Sequence, residues 1–151
     1  MTPFMGSHVS RLDSKGRVSI PAPFRAVLKS APDGDTTLIL RQSHKQRCIE
    51  AWPAHAFHSL AASLQQLDVF SDDQDDLAFT IYGGATEIAP DRDGRVVLPE
   101  ELAQFAELGE SVAFIGTGRM FQLWEPQAAE RRRAEANERV VARNLTLPGR
   151  A

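Results

Sequence analysis

Read as a pattern of apolar and polar positions, the chain sets short strand-like runs against longer stretches of helical period, and it does so twice. Near the start, His8 to Leu12 and Arg17 to Ile20 read as strands on either side of a tight turn. Pro21-Ala22-Pro23 opens a short helix bearing Phe24, Val27 and Leu28, since proline in a first helical turn forfeits no hydrogen bond. After the turn-like Ala31-Pro32-Asp33-Gly34-Asp35, Thr37 to Arg41 and Cys48 to Trp52 form a hairpin around Ser43-His44-Lys45-Gln46. A helix is predicted from Pro53, because Phe57, Leu60, Ala61 and Leu64 recur as one apolar stripe. A further helical stretch runs from Val69 to Phe79. A very polar helix follows Pro126, its thin stripe of Ala129, Ala136 and Val140 leaving it prone to fray in isolation. Asn144 to Ala151 read as a loose tail.

The order strand, turn, strand, short helix, strand, turn, strand, helix recurs because the chain is a duplication. Laid over Tyr82-Gly83-Gly84 without gaps, Phe4-Met5-Gly6 brings Asp13 onto Asp91, Gly16 onto Gly94, Arg17 onto Arg95, Val18 onto Val96 and Pro21 onto Pro99. The later parts also correspond, with Leu38 through Trp52-Pro53 answering Val112 through Trp124-Glu125-Pro126 at a small difference in length.

Charge sharpens this picture. The formal net charge is −3 over 151 residues, which argues against nucleic-acid binding by bulk positive charge. The distribution is uneven. Arg11, Lys15, Arg17, Arg25 and Lys29 cluster against Asp13 alone, whereas Asp68, Asp72, Asp73, Asp75 and Asp76 face no basic residue in their stretch. A run of about 18 apolar residues is absent, and the start Met1-Thr2-Pro3-Phe4-Met5-Gly6 lacks the order of a signal peptide. The expectation is a soluble, cytoplasmic protein without membrane contact. The single cysteine, Cys48, reads as a buried structural thiol in a reducing compartment.

The repeated Asp-x-x-Gly-Arg is turn chemistry: the carboxylate accepts nearby backbone N–H groups and glycine takes positive φ at no steric cost. In both copies an arginine follows the glycine and begins the outgoing strand. There it can pair with its own aspartate, or present a planar guanidinium to guanine O6 and N7 or to a phosphate. A two-stranded ribbon is narrow enough to enter the DNA major groove. Enzyme chemistry has thinner candidates. His55 and His58 stand three apart on a predicted helix, without the carboxylate or cysteine that would complete a metal site, and read as surface histidines. His8 could meet a phosphate or face solvent. Gly116-Thr117-Gly118 lies in a hairpin and reads as a turn rather than a phosphate loop. No enzyme activity, cofactor, metal or small-molecule substrate is expected.

Phe4-x-Gly6, Leu12 through Pro21, Phe24-Arg25, Asp91-x-x-Gly94-Arg95-Val96-Val97-Leu98-Pro99 and Gly116-x-Gly118 through Trp124 together resemble the MraZ family. The resemblance covers nearly the whole chain. It implies an α+β, β-rich fold in which two swapped-hairpin units of the AbrB/SpoVT type, double-split β-α-β, share one core with flanking helices. It implies residues 1–67 as the first repeat, 68–81 as an acidic linker helix, 82–143 as the second repeat with the C-terminal helix, and 144–151 as a flexible tail. It also implies a nucleoid-associated transcriptional regulator, by analogy a repressor, of its own division and cell-wall operon. Such a protein binds short G-rich direct repeats in double-stranded promoter DNA and assembles with itself into rings.

Carried over onto this sequence, the DNA-contacting motif falls on Asp13 and Arg17 and on Asp91 and Arg95. AbrB-type units bear further basic residues after the proline and an arginine three residues before the aspartate. Here the first unit keeps Arg25 while the second has Ala103, and Ser10 and Ile88 stand where the other arginines would. Arg11 and Lys15 in the first unit and Arg92 in the second are the expected compensations, so the first unit should contribute more electrostatic affinity. The alternative is a ring-forming protein-interaction module without direct DNA readout. In a variant reading, Arg131, Arg132 and Arg133 form the nucleic-acid contact.

Overall fold

The strands that leave the two Asp-x-x-Gly-Arg turns pair with each other, not with the strands that enter those turns. In the computed structural model, which describes residues 2–149, β1 (Ser7–Arg11) and β2 (Arg17–Ser19) flank the first turn. β5 (Thr86–Ile88) and β6 (Arg95–Val97) flank the second. β2 and β6 form an antiparallel ribbon with Val18 opposite Val96. The ladder continues into the turns, where Ile20 N–H donates to the Gly94 carbonyl and Leu98 N–H to the Gly16 carbonyl, both at 2.8 Å.

The entering strands cross over as well. β1 pairs with β7 (Ser111–Gly116) of the second unit, and β5 pairs with β3 (Leu38–Gln42) of the first. With β4 (Ile49–Pro53) and β8 (Phe121–Trp124) at the centre, the sheet order is β1-β7-β8-β4-β3-β5, antiparallel throughout. Each unit therefore lends the other an edge strand and half of a ribbon. The fold is α+β and β-rich, two exchanged halves around one core.

Alternation along the strands assigns the layers. Leu38, Leu40, Ile49, Ala51, Phe114 and Leu123 face the ribbon together with α1 (Ala22–Lys29) and α4 (Glu100–Phe105), which bury Phe24, Leu28 and Leu102. The opposite sheet face carries Trp52 under α2 (Ala54–Ala62) and α3 (Asp72–Gly83), and Trp124 beside Ala129 of α5 (Pro126–Ala142). The acidic α3 and the ribbon thus lie on opposite sides of the sheet.

Several local expectations shift. The helix expected from Pro53 gives way after Ala62 to a tighter 3-10 turn, Ser63–Gln66, which still buries Leu64. The helix expected from Val69 begins at Asp72, because Ser71 Oγ accepts the Gln74 N–H at 3.1 Å and caps it there. Asp72, Asp73 and Asp75 in its first turn also suit the positive end of the helix dipole. α5 holds to Ala142, although only its first half packs: Ala129 is buried, Ala136 half-buried and Val140 exposed. Asn144 to Gly149 are exposed, while Arg150 and Ala151 of the expected tail, like Met1, lie outside the described residues. His8 is half-buried, its ring edge-on to Phe24 at 5.3 Å, because its strand position faces the core.

The apolar pattern gave no sign of a buried ion pair in the β3–β4 hairpin. Arg41 is fully buried opposite Glu50, and its Nη1 donates to Glu50 Oε1. Trp52 Nε1 donates to the same oxygen at 2.9 Å, and Arg41 Nη2 lies 3.2 Å from His44 Nδ1. At the corresponding register of the second hairpin, Ile115 faces Gln122, and Trp124 Nε1 donates to Gln122 Oε1 at 2.8 Å. The second unit solves the same packing problem without charge. Glu50→Leu, which strands the Arg41 cation, should therefore cost about 3–5 kcal/mol in urea unfolding. The double replacement Arg41→Ile with Glu50→Gln, copying the second unit, should recover most of that loss.

Candidate nucleic-acid interface

Each turn is organised by one carboxylate that binds backbone through one oxygen and arginine through the other. Asp13 Oδ1 accepts the N–H groups of Lys15 at 2.9 Å and Arg17 at 2.8 Å, while Oδ2 accepts Arg17 Nε at 2.8 Å. Asp91 repeats this with Asp93 N–H at 2.9 Å, Arg95 N–H at 3.0 Å and Arg95 Nε at 3.1 Å. Gly16 and Gly94 close the turns onto the aspartate carbonyls at φ +82° and +77°, a conformation that L side chains rarely adopt. The carboxylate takes only Nε, and neither terminal nitrogen of either guanidinium is bonded to it. Self-pairing, one of the two sequence readings, is the geometry observed.

The ribbon brings the two arginines to one surface. Arg17 stands opposite Val97 and Arg95 opposite Ser19, all four exposed, while Val18 and Val96 turn into the core. The arginines are diagonal neighbours, a relation that sets Cα atoms roughly 7–8 Å apart. Arg11, at the end of β1, lines the same shallow groove as Asp13, Arg17, Ser19 and Arg95. The two copies differ in one respect. Arg95 Nη2 also lies 3.4 Å from Asp93 Oδ2, whereas the Arg17 terminal nitrogens have no protein acceptor among the described residues.

Of the other predicted residues, Lys15 and Arg92 occupy the exposed tips of their turns. Arg25 reaches across the ribbon. Its Nη1 donates to the Asp93 carbonyl at 3.1 Å, and its stem lies so close to Gly94 that a Cβ there would meet Arg25 Cδ at 2.0 Å. Arg25 thereby braces the second unit's turn from the first unit's helix, a contact that spacing along one repeat could not reveal. Sequence reasoning named Lys29 only within the basic cluster and passed over Ser19. Lys29 shares a small cleft with Arg25, Asp91 and Arg92, and Ser19 shares the outward face with Arg17. The strand period two residues beyond Arg17 was the available signal for Ser19. Arg133 of the C-terminal cluster donates through Nη2 to Ser7 Oγ at 2.6 Å, which ties α5 to β1. Cys48 is fully buried, and burial pushes its thiol up to about 12.

Fold and surface together define a duplicated swapped-hairpin protein whose two turns meet in one arginine-bearing ribbon. Comparison with known proteins agrees. The family model described as "MraZ protein, putative antitoxin-like" matches residues 4–80 and again 81–144. A protein of Gluconacetobacter diazotrophicus, named transcriptional regulator MraZ, is 54% identical over 149 residues, covering 98% of this chain and 93% of its own. Proteins of the same name from Gluconobacter oxydans and Xanthobacter autotrophicus are 50% and 36% identical over 151 residues. They cover 99% and 100% of this chain and 91% and 95% of their own. The chain belongs to the MraZ family, whose named members are transcriptional regulators and not enzymes.

The Arg17 N–H first, then the Arg17 side chain and after it the Lys15 N–H, hold the Asp13 carboxyl below its ordinary 3.8; the Arg95 N–H does the same foremost for Asp91. A carboxyl lowered on folding stabilises the fold above its unfolded pKa and loses that contribution as pH falls through its folded one. Asp13→Asn should therefore cost a constant increment of stability from about pH 8 to about pH 5. The gap from wild type should narrow as pH falls below 3.8. Urea midpoints across pH measure it.

Proposed function

We propose that this protein is a sequence-specific DNA-binding transcriptional regulator, a repressor of its own division and cell-wall operon. The observation that carries the reading is the shared ribbon, on which two aspartate-oriented guanidinium groups stand side by side and point away from the core. Such a ribbon fits a major groove, and guanidinium groups suit the O6 and N7 edge of guanine in short G-rich direct repeats. Arg17 and Arg95 read or clamp the DNA. Asp13 and Asp91 orient them, Arg11, Lys15 and Arg92 add phosphate contacts, and Arg25 braces the second turn. In this reading the acidic α3, on the far side of the sheet, faces away from the duplex.

Few phosphate contacts per subunit and a net charge of −3 call for several subunits acting on repeated boxes. Exposed apolar side chains in two unlike settings support head-to-tail assembly into a ring. Phe70 and Phe79 stand just before and within the acidic α3, and Val140, Val141 and Leu147 stand in and after the end of α5, which carries Arg139. A ring set on repeated promoter boxes would make the protein nucleoid-associated.

Gel-shift titration on DNA upstream of the protein's own gene tests the reading. Arg17→Ala should weaken binding about tenfold or more, and Arg95→Ala less, because Asp93 already shares its guanidinium. Affinity should also fall steeply with salt. Unchanged binding in both variants, with retention of a protein partner, would favour the interaction module instead. For the assembly, Phe70→Asp should shift sedimentation toward smaller species; an unchanged profile would reject α3 as an interface.

A further inference from the structure

A cavity of about 310 Å3 opens between the end of α1, the loop that follows it and the β7–β8 hairpin. Small-molecule sites begin at about this size, roughly 300 Å3. Phe4, Val27, Leu28 and Pro53 give it apolar walls, and Arg119, His55 and Asp35 line it from exposed positions. Neither Arg119 nor the His55 ring has a hydrogen-bond or ion-pair partner among the described residues.

The duplication supplies an internal control. Aligning the short helices sets Val27 on Phe105, and aligning the second strands of the hairpins sets Arg119 on Arg47, two residues before Ile49 and Phe121 respectively. In the other half of the molecule the Arg47 guanidinium lies over the Phe105 ring, 5.1 Å from its centroid. That is a cation–π contact, favourable because the ring face is negative. Here the aligned side chain is the smaller Val27, and the loop through Ala31 and Asp35 that lines the cavity is longer than its counterpart after α4. The protein thus fills one copy of this site with its own aromatic ring and leaves the other open.

We propose that the cavity binds a small aromatic molecule bearing a hydrogen-bond donor, of the indole or phenol class. The ring lies beneath Arg119 as Phe105 lies beneath Arg47, its edge against Val27, Leu28 and Phe4. Its N–H or O–H donates to the Asp35 carboxylate. The helix that forms one wall is the helix that carries Arg25, whose guanidinium is bonded to the turn at Asp93.

Indole is the probe, and saturation-transfer NMR with calorimetry on the full chain is the measurement. Wild type should bind indole saturably. Val27→Phe, which supplies the missing ring, should abolish binding while leaving the thermal midpoint unchanged or higher. Arg119→Ala, at an exposed position, should weaken it about 2- to 30-fold. The proposal is overturned if wild type does not bind indole, or if the folded Val27→Phe and Arg119→Ala proteins bind it as wild type does.

Discussion

Everything at the candidate interface depends on the exchange of β2 and β6 between the two units. Each is only three residues long, and neither could complete its ladder within its own unit. Paired with each other, and closed by the bonds from Ile20 to Gly94 and from Leu98 to Gly16, they satisfy their backbone groups and bury Val18 and Val96. The exchange also determines what lies outside. The alternation that sends the valines inward sends Arg17 and Arg95 outward on the same face.

Within that frame the turns divide labour between rigidity and presentation. A carboxylate that accepts two backbone N–H groups and an arginine Nε fixes the first part of a long side chain and thereby lowers the entropy lost when its tip meets a ligand. The same pairing leaves the terminal nitrogens unbonded to that carboxylate. The copies are chemically unequal because Asp93 draws on Arg95 and because Arg25 supports only the second turn. A duplication gave the protein a pseudo-symmetric scaffold, and substitutions on it have since separated the two halves: Arg41 with Glu50 against Ile115 with Gln122, and Val27 against Phe105.

The acidic and basic halves of the surface are separated by the sheet itself. Residues one apart along β3 and β4 point to opposite layers, so the ribbon and α3 cannot share a face. This accounts for a chain of negative net charge that nonetheless exposes a basic groove. Arg11, Arg17 and Arg95 converge there from three strands, two of the first unit and one of the second.

The sequence by itself determined the duplication, the turn chemistry, the strand and helix order and the family, because each of these is written in local spacing: glycine and aspartate at fixed offsets, apolar period, proline at helix starts. It named Asp13, Arg17, Asp91 and Arg95 as candidate contact residues. Tertiary structure decided what spacing along one strand cannot carry. Strand exchange made Arg17 and Arg95 neighbours and laid Arg25 on Gly94, while the β3–β4 hairpin faced Arg41 with Glu50 in the core. Helix ends moved where a cap such as Ser71 overrode the apolar period. The physical reason is common to all of these: backbone turns and caps are satisfied within a few residues, whereas partners for a guanidinium or an edge strand are found wherever the fold brings them.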